Sequence, residues 1–147
     1  MPTLWNDADR QQLVARIRQL SPDAKAQWGS MTSRGMLAHI HESARMALGE
    51  VSVKPKNLPI RHPPLKQLII YVLPFPKGAP TAPELISREA DDWTAELASL
   101  EAAIDRLVAR SPSASWPDHP AFGELSRRAW GVLVYRHTDH HVRQFGH

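Results

Sequence analysis

Cysteine is absent from the 147 residues of this chain. Without a thiol, the chain can form no disulfide framework, no thiolate nucleophile and no cysteine-ligated zinc site. A transition metal would have to be held by histidine, carboxylate or water. Histidine is well represented, because the chain contains eight and four of them lie in its last stretch, YRHTDHHVRQFGH.

Long apolar runs and a charge of one sign are also missing. The longest apolar run, from Leu68 to Leu73, is far shorter than the roughly 20 residues that a membrane-spanning helix needs. The N-terminus lacks the basic and then apolar layout of a signal peptide. The 18 basic and 15 acidic residues give a net charge of only +3, without a run of like charge. We therefore expect one cytoplasmic domain, residues 1–147, that binds neither nucleic acid nor a membrane.

Hydrophobic periodicity predicts four helices. They span about Asp7 to Leu20 with Asn6 as N-cap, Thr32 or Ser33 up to Gly49, about Pro83 to Arg110, and about Gly123 to Phe145. Seven of the thirteen prolines lie between the second and third helices and an eighth, Pro83, begins the third, which makes this connection mostly irregular. Within it Leu65, Leu68, Ile69 and Val72 have the spacing of one short helix with an apolar face. The pattern predicts an all-α four-helix bundle with a long Pro-rich connection between helices 2 and 3, which permits a crossover.

The last predicted helix carries His137 and His141 four residues apart, about 40° from each other on one face. Trp130 and Leu133 share this face, so both histidines are expected to point inward. An i, i+4 histidine pair is a standard grip for a transition metal. His140 lies about 100° from His141 at the edge of the face. Two other interpretations remain open here, namely hydrogen-bonded core histidines and a solvated helix end.

On the second helix, His39 and His41 point about 160° apart, so only one of them can face the core. The apolar neighbours of His39 make it the inward residue, and we expect His41 at the surface. Glu42 lies about 60° from His39 and could be a partner or base for the site, although a surface charge is the simpler reading.

Three further residues have two readings each. Trp130 could cover the site or could be a plain core aromatic. Lys77, in a segment that could close as a lid, could reach an anionic substrate or could be an ordinary exposed lysine. His147 follows Gly146 past the end of the last helix and is expected to be frayed.

The segments LAHIHES and HTDHHVRQ resemble the DinB-like superfamily of metal-binding four-helix bundles. Its H-x-x-x-H-x-x-Q pattern is matched here by His137, His141 and Gln144. The stretches YVLPFPKGAPTAPEL and WPDHPAFGELS, with the ending RQFG, are similar to a branch of that superfamily known only as a domain of unknown function. The resemblance implies an up-down-down-up bundle and a divalent metal held by His39, His137 and His141. Characterised members of the superfamily include transferases and isomerases that depend on small thiols.

These features lead to a functional hypothesis. Zinc and nickel both suit three imidazole ligands, and such a site leaves an open position on the ion. We expect a metal-dependent transferase, isomerase or hydrolase that acts on a small molecule such as a thiol. The alternative is a non-catalytic, metal-stabilised bundle with a stress-related or interaction role, and self-association as a homodimer is compatible with either.

Overall fold

The computed structural model describes residues 1–147 as five α-helices without a β-strand. The helices are α1 (Asp7–Arg18), α2 (Ser33–Ala47), α3 (Leu65–Tyr71), α4 (Trp93–Ala109) and α5 (Arg127–Gln144). Two single 3-10 turns, Pro59–Arg61 and Pro83–Leu85, lie in the connection between α2 and α4. The expected all-α class is confirmed, and α3 is the short helix predicted within the Pro-rich connection. No helix is long and apolar enough to cross a membrane.

Side-chain caps set the start of the four longer helices. The Asn6 side chain accepts a hydrogen bond from the Asp9 N–H, and Thr32, Asp92 and Ser126 do the same for the first turns of α2, α4 and α5. Each cap satisfies a backbone donor that has no partner inside the helix, and such caps contribute about 1 kcal/mol. The predicted N-cap Asn6 is thereby confirmed, and α2 begins at Ser33, one of the two starts expected for it, with Thr32 as its N-cap.

The third and fourth predicted helices begin later than expected. Before α4, the chain is held in a non-helical path against α2, because the Ala90 N–H donates to the Arg34 carbonyl and the Arg34 guanidinium donates to the Ala90 carbonyl. Before α5, Gly123 adopts a φ of +69° and its N–H donates to the His119 carbonyl. Helical geometry is incompatible with this left-handed conformation, so α5 begins only at Arg127.

The pairings between helices define their relative directions. Arg34 near the start of α2 meets Ala90 just before α4, and Glu50 beyond the end of α2 pairs with Arg106 near the end of α4. α2 and α4 therefore run parallel to each other.

The same holds for α1 and α5. The Trp5 indole N–H before α1 donates to the Arg127 carbonyl at the start of α5, at 2.8 Å. Arg16 near the end of α1 pairs with Asp139 in the second half of α5, at 2.6 Å. Buried apolar side chains from all five helices and from the segments between them form one cluster of 26 residues.

Three of the four residues in the apolar stripe of α3 face away from the core, and the fourth, Ile69, is half-buried against it. Leu65, Leu68 and Val72 are 42%, 38% and 66% exposed, whereas Ile70 is buried at 1%. The Arg136 guanidinium on α5 donates to the carbonyls of Ile69, Ile70 and Leu73 at the C-terminal end of α3. These bonds fix the rotation of α3 about its axis and leave the stripe at the surface.

Candidate metal centre

The expected ligands His39, His137 and His141 come together where α2 crosses α5. Each offers a ring nitrogen, and these three nitrogens lie within 4.8 Å of one another. The Nε2 atoms of His39 and His137 are 3.0 Å apart, and the three ring centroids are separated by 4.7–4.9 Å. Three imidazoles converging in this way form a group that could hold a metal ion.

The outer ring nitrogens of two of these histidines have acceptor partners. His39 Nδ1 lies 3.0 Å from the Leu85 carbonyl oxygen, and His141 Nδ1 lies 2.7 Å from Gln144 Oε1. The Gln144 amide is itself oriented because its Nε2 donates to the Trp28 carbonyl at 2.9 Å. Since a carbonyl oxygen only accepts, each Nδ1 carries the proton and each Nε2 keeps its lone pair, which in His39 faces His137 Nε2. Partners of this kind fix the tautomer and orientation of metal-binding histidines.

All three imidazoles are held in the neutral form. Burial lowers the pKa of His39. Burial, followed by the proximity of His39, lowers the pKa of His141 to about 3. The pKa of His137 lies well below its ordinary value because of burial and its two histidine neighbours. A metal ligand must be deprotonated, so the cluster is already in the protonation state that binding needs.

The remaining C-terminal histidines do not join the cluster. The ring of His140 lies between Trp28 and Phe75, with centroids 5.4 Å and 6.1 Å away. The side chain of His147 is exposed. The sequence predicted a frayed His147, but its backbone is held in place, because its carbonyl accepts a hydrogen bond from the Arg16 guanidinium at 2.8 Å.

His41 and Glu42 are buried, contrary to the surface positions favoured by the sequence. They are only 9% and 6% exposed. His41 Nδ1 lies 2.6 Å from Glu96 Oε1, and the Arg88 guanidinium pairs with Glu42 at 2.8 Å and with Glu96 at 2.6 Å. The reason is that α4 packs on this face of α2. Glu42 contacts Arg88 and Arg45 and is not placed against the three histidines.

Sequence reasoning missed Arg88 and Glu96, and no local pattern marks them. Arg88 is part of a strap, Leu85–Ala90, that lies along α2. The Leu85 carbonyl meets His39, and Arg88 then binds Glu42. The strap thus connects the Glu42–Glu96 ion-pair network to the orientation of His39.

A cavity of about 1190 Å³ adjoins the cluster. It is lined by His39, His137 and His141 and by many apolar side chains, among them Met31, Ile40, Phe75 and Leu133. Binding sites for small molecules typically measure about 300–1,000 Å³ and are mostly apolar with a few polar groups. The cavity therefore has room for a small organic molecule next to the three imidazoles.

Trp130 and Lys77 occupy different parts of this region. Trp130 is buried in the cavity wall, stacked on Trp116 at 6.3 Å and 5.5 Å from the His119 ring. Its neighbours are those of a core aromatic. Lys77 Nζ lies 4.4 Å from the centre of the Trp28 ring, and Trp28 in turn contacts His140. Lys77 is thus separated from the three histidines by these two rings.

His119 is a further titratable residue at the cavity that the sequence analysis did not identify. Its Nδ1 accepts hydrogen bonds from the N–H groups of Ala121 and Phe122, at 3.0 Å and 3.2 Å. Burial, assisted by the charge of Arg61, lowers the pKa of His119 to about 4. A proton on Nδ1 would remove the acceptor that holds this turn.

The depressed pKa of His119 predicts a loss of stability in acid. The stabilisation is complete above the unfolded-state pKa of about 6.5 and declines as the pH falls toward about 4, since the unfolded chain takes up the proton first. We expect His119→Asn, which keeps an acceptor but does not titrate, to lose less stability over this range, by on the order of 3 kcal/mol. Urea unfolding of both proteins at pH 7.5, 6, 5 and 4 measures the difference. Parallel pH profiles for the two proteins would contradict the prediction.

The chain is an all-helical protein with three histidines that could hold a metal ion. Comparison with known families gives a match to the model described as "Protein of unknown function (DUF1569)" over residues 5–147. The chain therefore belongs to the DUF1569 family. No curated protein and no solved structure shows a significant match to it.

Proposed function

We propose that the chain has the DinB-like fold, a four-helix bundle of up-down-down-up topology formed by α1, α2, α4 and α5. The helix directions support this proposal. α1 and α5 run in one direction, and α2 runs with α4. Gln144 at the end of α5 bonds to Trp28 before the start of α2, so these two helices run in opposite directions. The long connection containing α3 provides the crossover that two consecutive parallel helices need.

We propose that His39, His137 and His141 bind one divalent metal ion, with zinc or nickel as the candidates. The observation that carries this proposal is the convergence of three neutral imidazole nitrogens, two of them with their other nitrogen committed to an outer acceptor. Both metals accept imidazole ligands, and the donor set does not distinguish between them. A site with three protein ligands also leaves a position open, as in catalytic zinc sites.

The same geometry supports an enzyme that acts on a small molecule, such as a thiol transferase, isomerase or hydrolase. A divalent ion with three neutral ligands supplies Lewis acidity and lowers the pKa of a bound thiol or water. The protein supplies the cavity, in which apolar side chains would hold the body of a substrate next to the histidines. The Leu85 and Gln144 oxygens keep His39 and His141 aimed at that space.

One observation favours a second candidate, a non-catalytic bundle that the metal stabilises. The carboxylates of Glu42 on α2 and Glu96 on α4 are both paired with Arg88 and so are not free to act as bases in the cavity. Removal of the metal separates the two functions. If the metal has a structural role, its removal should lower the melting temperature of the protein greatly. If the site is open and catalytic, metal removal should lower the melting temperature only slightly, and the metal-loaded protein should bind thiols.

The test of the enzymatic proposal is a screen of metal-loaded protein against low-molecular-weight thiols combined with electrophilic acceptors. Metal content is measured first on protein purified without chelators or affinity metals. Turnover by the wild type and none by His137→Ala would support the proposal. A wild type that contains less than near-stoichiometric metal after incubation with zinc or nickel would contradict the metal site itself.

The strap predicts that Arg88 affects metal binding from outside the cluster. We expect Arg88→Ala to weaken metal affinity about tenfold, because the Leu85 carbonyl is then free to move away from His39 Nδ1 and outer partners of metal-binding histidines typically contribute tenfold to a hundredfold. Competition with a chromophoric chelator measures the affinity. Arg18→Ala is the control, since Arg18 also forms a bidentate pair, with Glu101, but one remote from the strap. Equal metal affinities for the two variants would show that the strap does not position His39.

A further inference from the structure

The segment 51–83 carries a one-sided charge. It contains Lys54, Lys56, Arg61, Lys66 and Lys77 and no aspartate or glutamate. None of these five cations takes part in an ion pair. Lys66 Nζ donates only to a backbone carbonyl, that of Glu124. Two acids flank the segment: Glu50 pairs with Arg45 and Arg106, and Glu84 accepts the backbone N–H of Lys54. The segment therefore presents net positive charge to its surroundings.

The same segment holds most of the exposed large apolar side chains of the protein. Five of the seven lie here, namely Leu58, Leu65, Leu68, Val72 and Leu73, with exposures between 38% and 66%. Leu65, Leu68 and Val72 follow one face of α3, and the turn Pro59–Arg61 packs against that helix. We call these five apolar residues, with the exposed Lys54 and Lys56, the α3 surface. Clustered exposed apolar residues mark an interaction site.

We propose that the α3 surface binds the anionic face of a lipid bilayer, with the apolar stripe of α3 in the boundary between headgroups and acyl chains. Aliphatic side chains beside lysines are the combination that such a boundary accommodates, because the first enter the acyl region and the second meet anionic headgroups. This proposal departs from the expectation that the chain binds no membrane, which rested on the lack of a membrane-spanning segment. Peripheral binding does not need a spanning helix.

The charge and the apolar side chains of the α3 surface argue against two other partners, a second copy of this chain and nucleic acid. In a symmetric pair of this chain the surface would face its own copy and would bring unneutralised lysines together. Nucleic acid would satisfy the lysines but would leave the leucine and valine side chains facing phosphate and sugar. A bilayer with anionic lipid satisfies both kinds of side chain.

The α3 surface also borders the cavity. Lys54, Lys56, Leu58 and Ile69 line the cavity that contains the three histidines. A molecule with an apolar body and an anionic head could pass from the bilayer into this space. Bilayer binding itself is independent of the metal and of the proposed chemistry.

The test is co-sedimentation of the full-length chain with vesicles of 70% phosphatidylcholine and 30% phosphatidylserine, with pure phosphatidylcholine vesicles as reference. Leu68→Gln with Val72→Gln removes apolar contacts, and Lys54→Gln with Lys56→Gln removes charge. Lys25→Gln, an exposed lysine outside the segment, is the matched control. Melting temperatures verify that each variant is folded, and each protein is assayed with and without metal.

We expect the wild type to bind the anionic vesicles, more weakly at high salt, and not the neutral ones. The two lysine changes should lower the partition coefficient about 25-fold, or fivefold for each lysine, and the apolar pair at least about tenfold. Lys25→Gln should have little effect, and metal removal none. Absence of wild-type binding at low salt, or an equal loss in Lys25→Gln, would overturn the proposal. A dimer in sedimentation velocity that Leu68→Gln with Val72→Gln dissociates, without vesicle binding, would also overturn it and assign the face to a second copy.

Discussion

His137→Ala is expected to lower metal affinity by at least about a hundredfold, and His39→Ala and His141→Ala should behave alike. Each change removes one of three ligands from the proposed ion, and outer partners alone contribute tenfold to a hundredfold. The lost ring leaves only two nitrogens near the centre, which cannot enclose the ion. Metal content after dialysis, followed by chelator competition, measures the loss.

The matched controls for this prediction are the two other C-terminal histidines. The His140 ring packs against the rings of Trp28 and Phe75 in a tilted arrangement, and His147 lies beyond the end of α5, so His140→Ala and His147→Ala should keep nearly full metal occupancy. The decisive comparison is between His140→Ala and His141→Ala, which differ by one position along the helix. Metal retained in the second variant and lost in the first would assign the ligand to His140.

The sequence was sufficient to predict which faces of α2 and α5 carry the three clustered histidines. On α5, the apolar side chains of Trp130 and Leu133 mark the inward face, and a rotation of about 100° per residue then places His137 and His141 on it. On α2, the same rule separates His39 from His41. The structure brings His39, His137 and His141 together, because each side chain follows the rotation of its own helix.

The sequence contained less information about which helix covers a given face. His41 and Glu42 look like surface residues among arginines until α4 packs parallel to α2 and brings Glu96 beside them. Their burial depends on Arg88, which comes from a strap that helical periodicity had assigned to a helix. Whether His41 and Glu42 are buried depends on contacts between segments that are distant in sequence, and a local sequence pattern cannot predict such contacts.

The rotation of α3 about its axis could not be predicted from the sequence for a related reason. An i, i+3, i+7 stripe predicts an inward face only if burial of apolar area sets the rotation of the helix. Here three backbone carbonyls at the end of α3 accept from Arg136, and these bonds determine which side is turned to α5. A short helix has few apolar contacts to oppose such an anchor.

Gly131→Ala is expected to destabilise the protein by about 3 kcal/mol. The opposite sign is usual, because glycine in the middle of a helix normally lowers stability by about 0.5–1 kcal/mol relative to alanine. A Cβ at this position would lie 2.1 Å from Trp5 Nε1 and 2.5 Å from two ring carbons. The indole cannot move aside cheaply. Its N–H donates to the Arg127 carbonyl at 2.8 Å, its face contacts the Arg127 guanidinium, and Trp116 packs on it at 5.6 Å. The contact thus joins the N-terminal segment to α5.

Urea unfolding of Gly131→Ala beside Gly35→Ala tests this account of the clash. Gly35 is also a helical glycine, but its Cβ would meet only the Thr32 hydroxyl at 3.0 Å and the flexible Glu89 side chain at 3.7 Å or beyond, so we expect a change within about 1 kcal/mol. Combining Gly131→Ala with Trp5→Leu should recover part of the loss relative to the sum of the single changes, because the obstructing ring is gone. Strict additivity, or a Gly131→Ala protein more stable than the wild type, would show that Trp5 does not occupy the space beside Gly131.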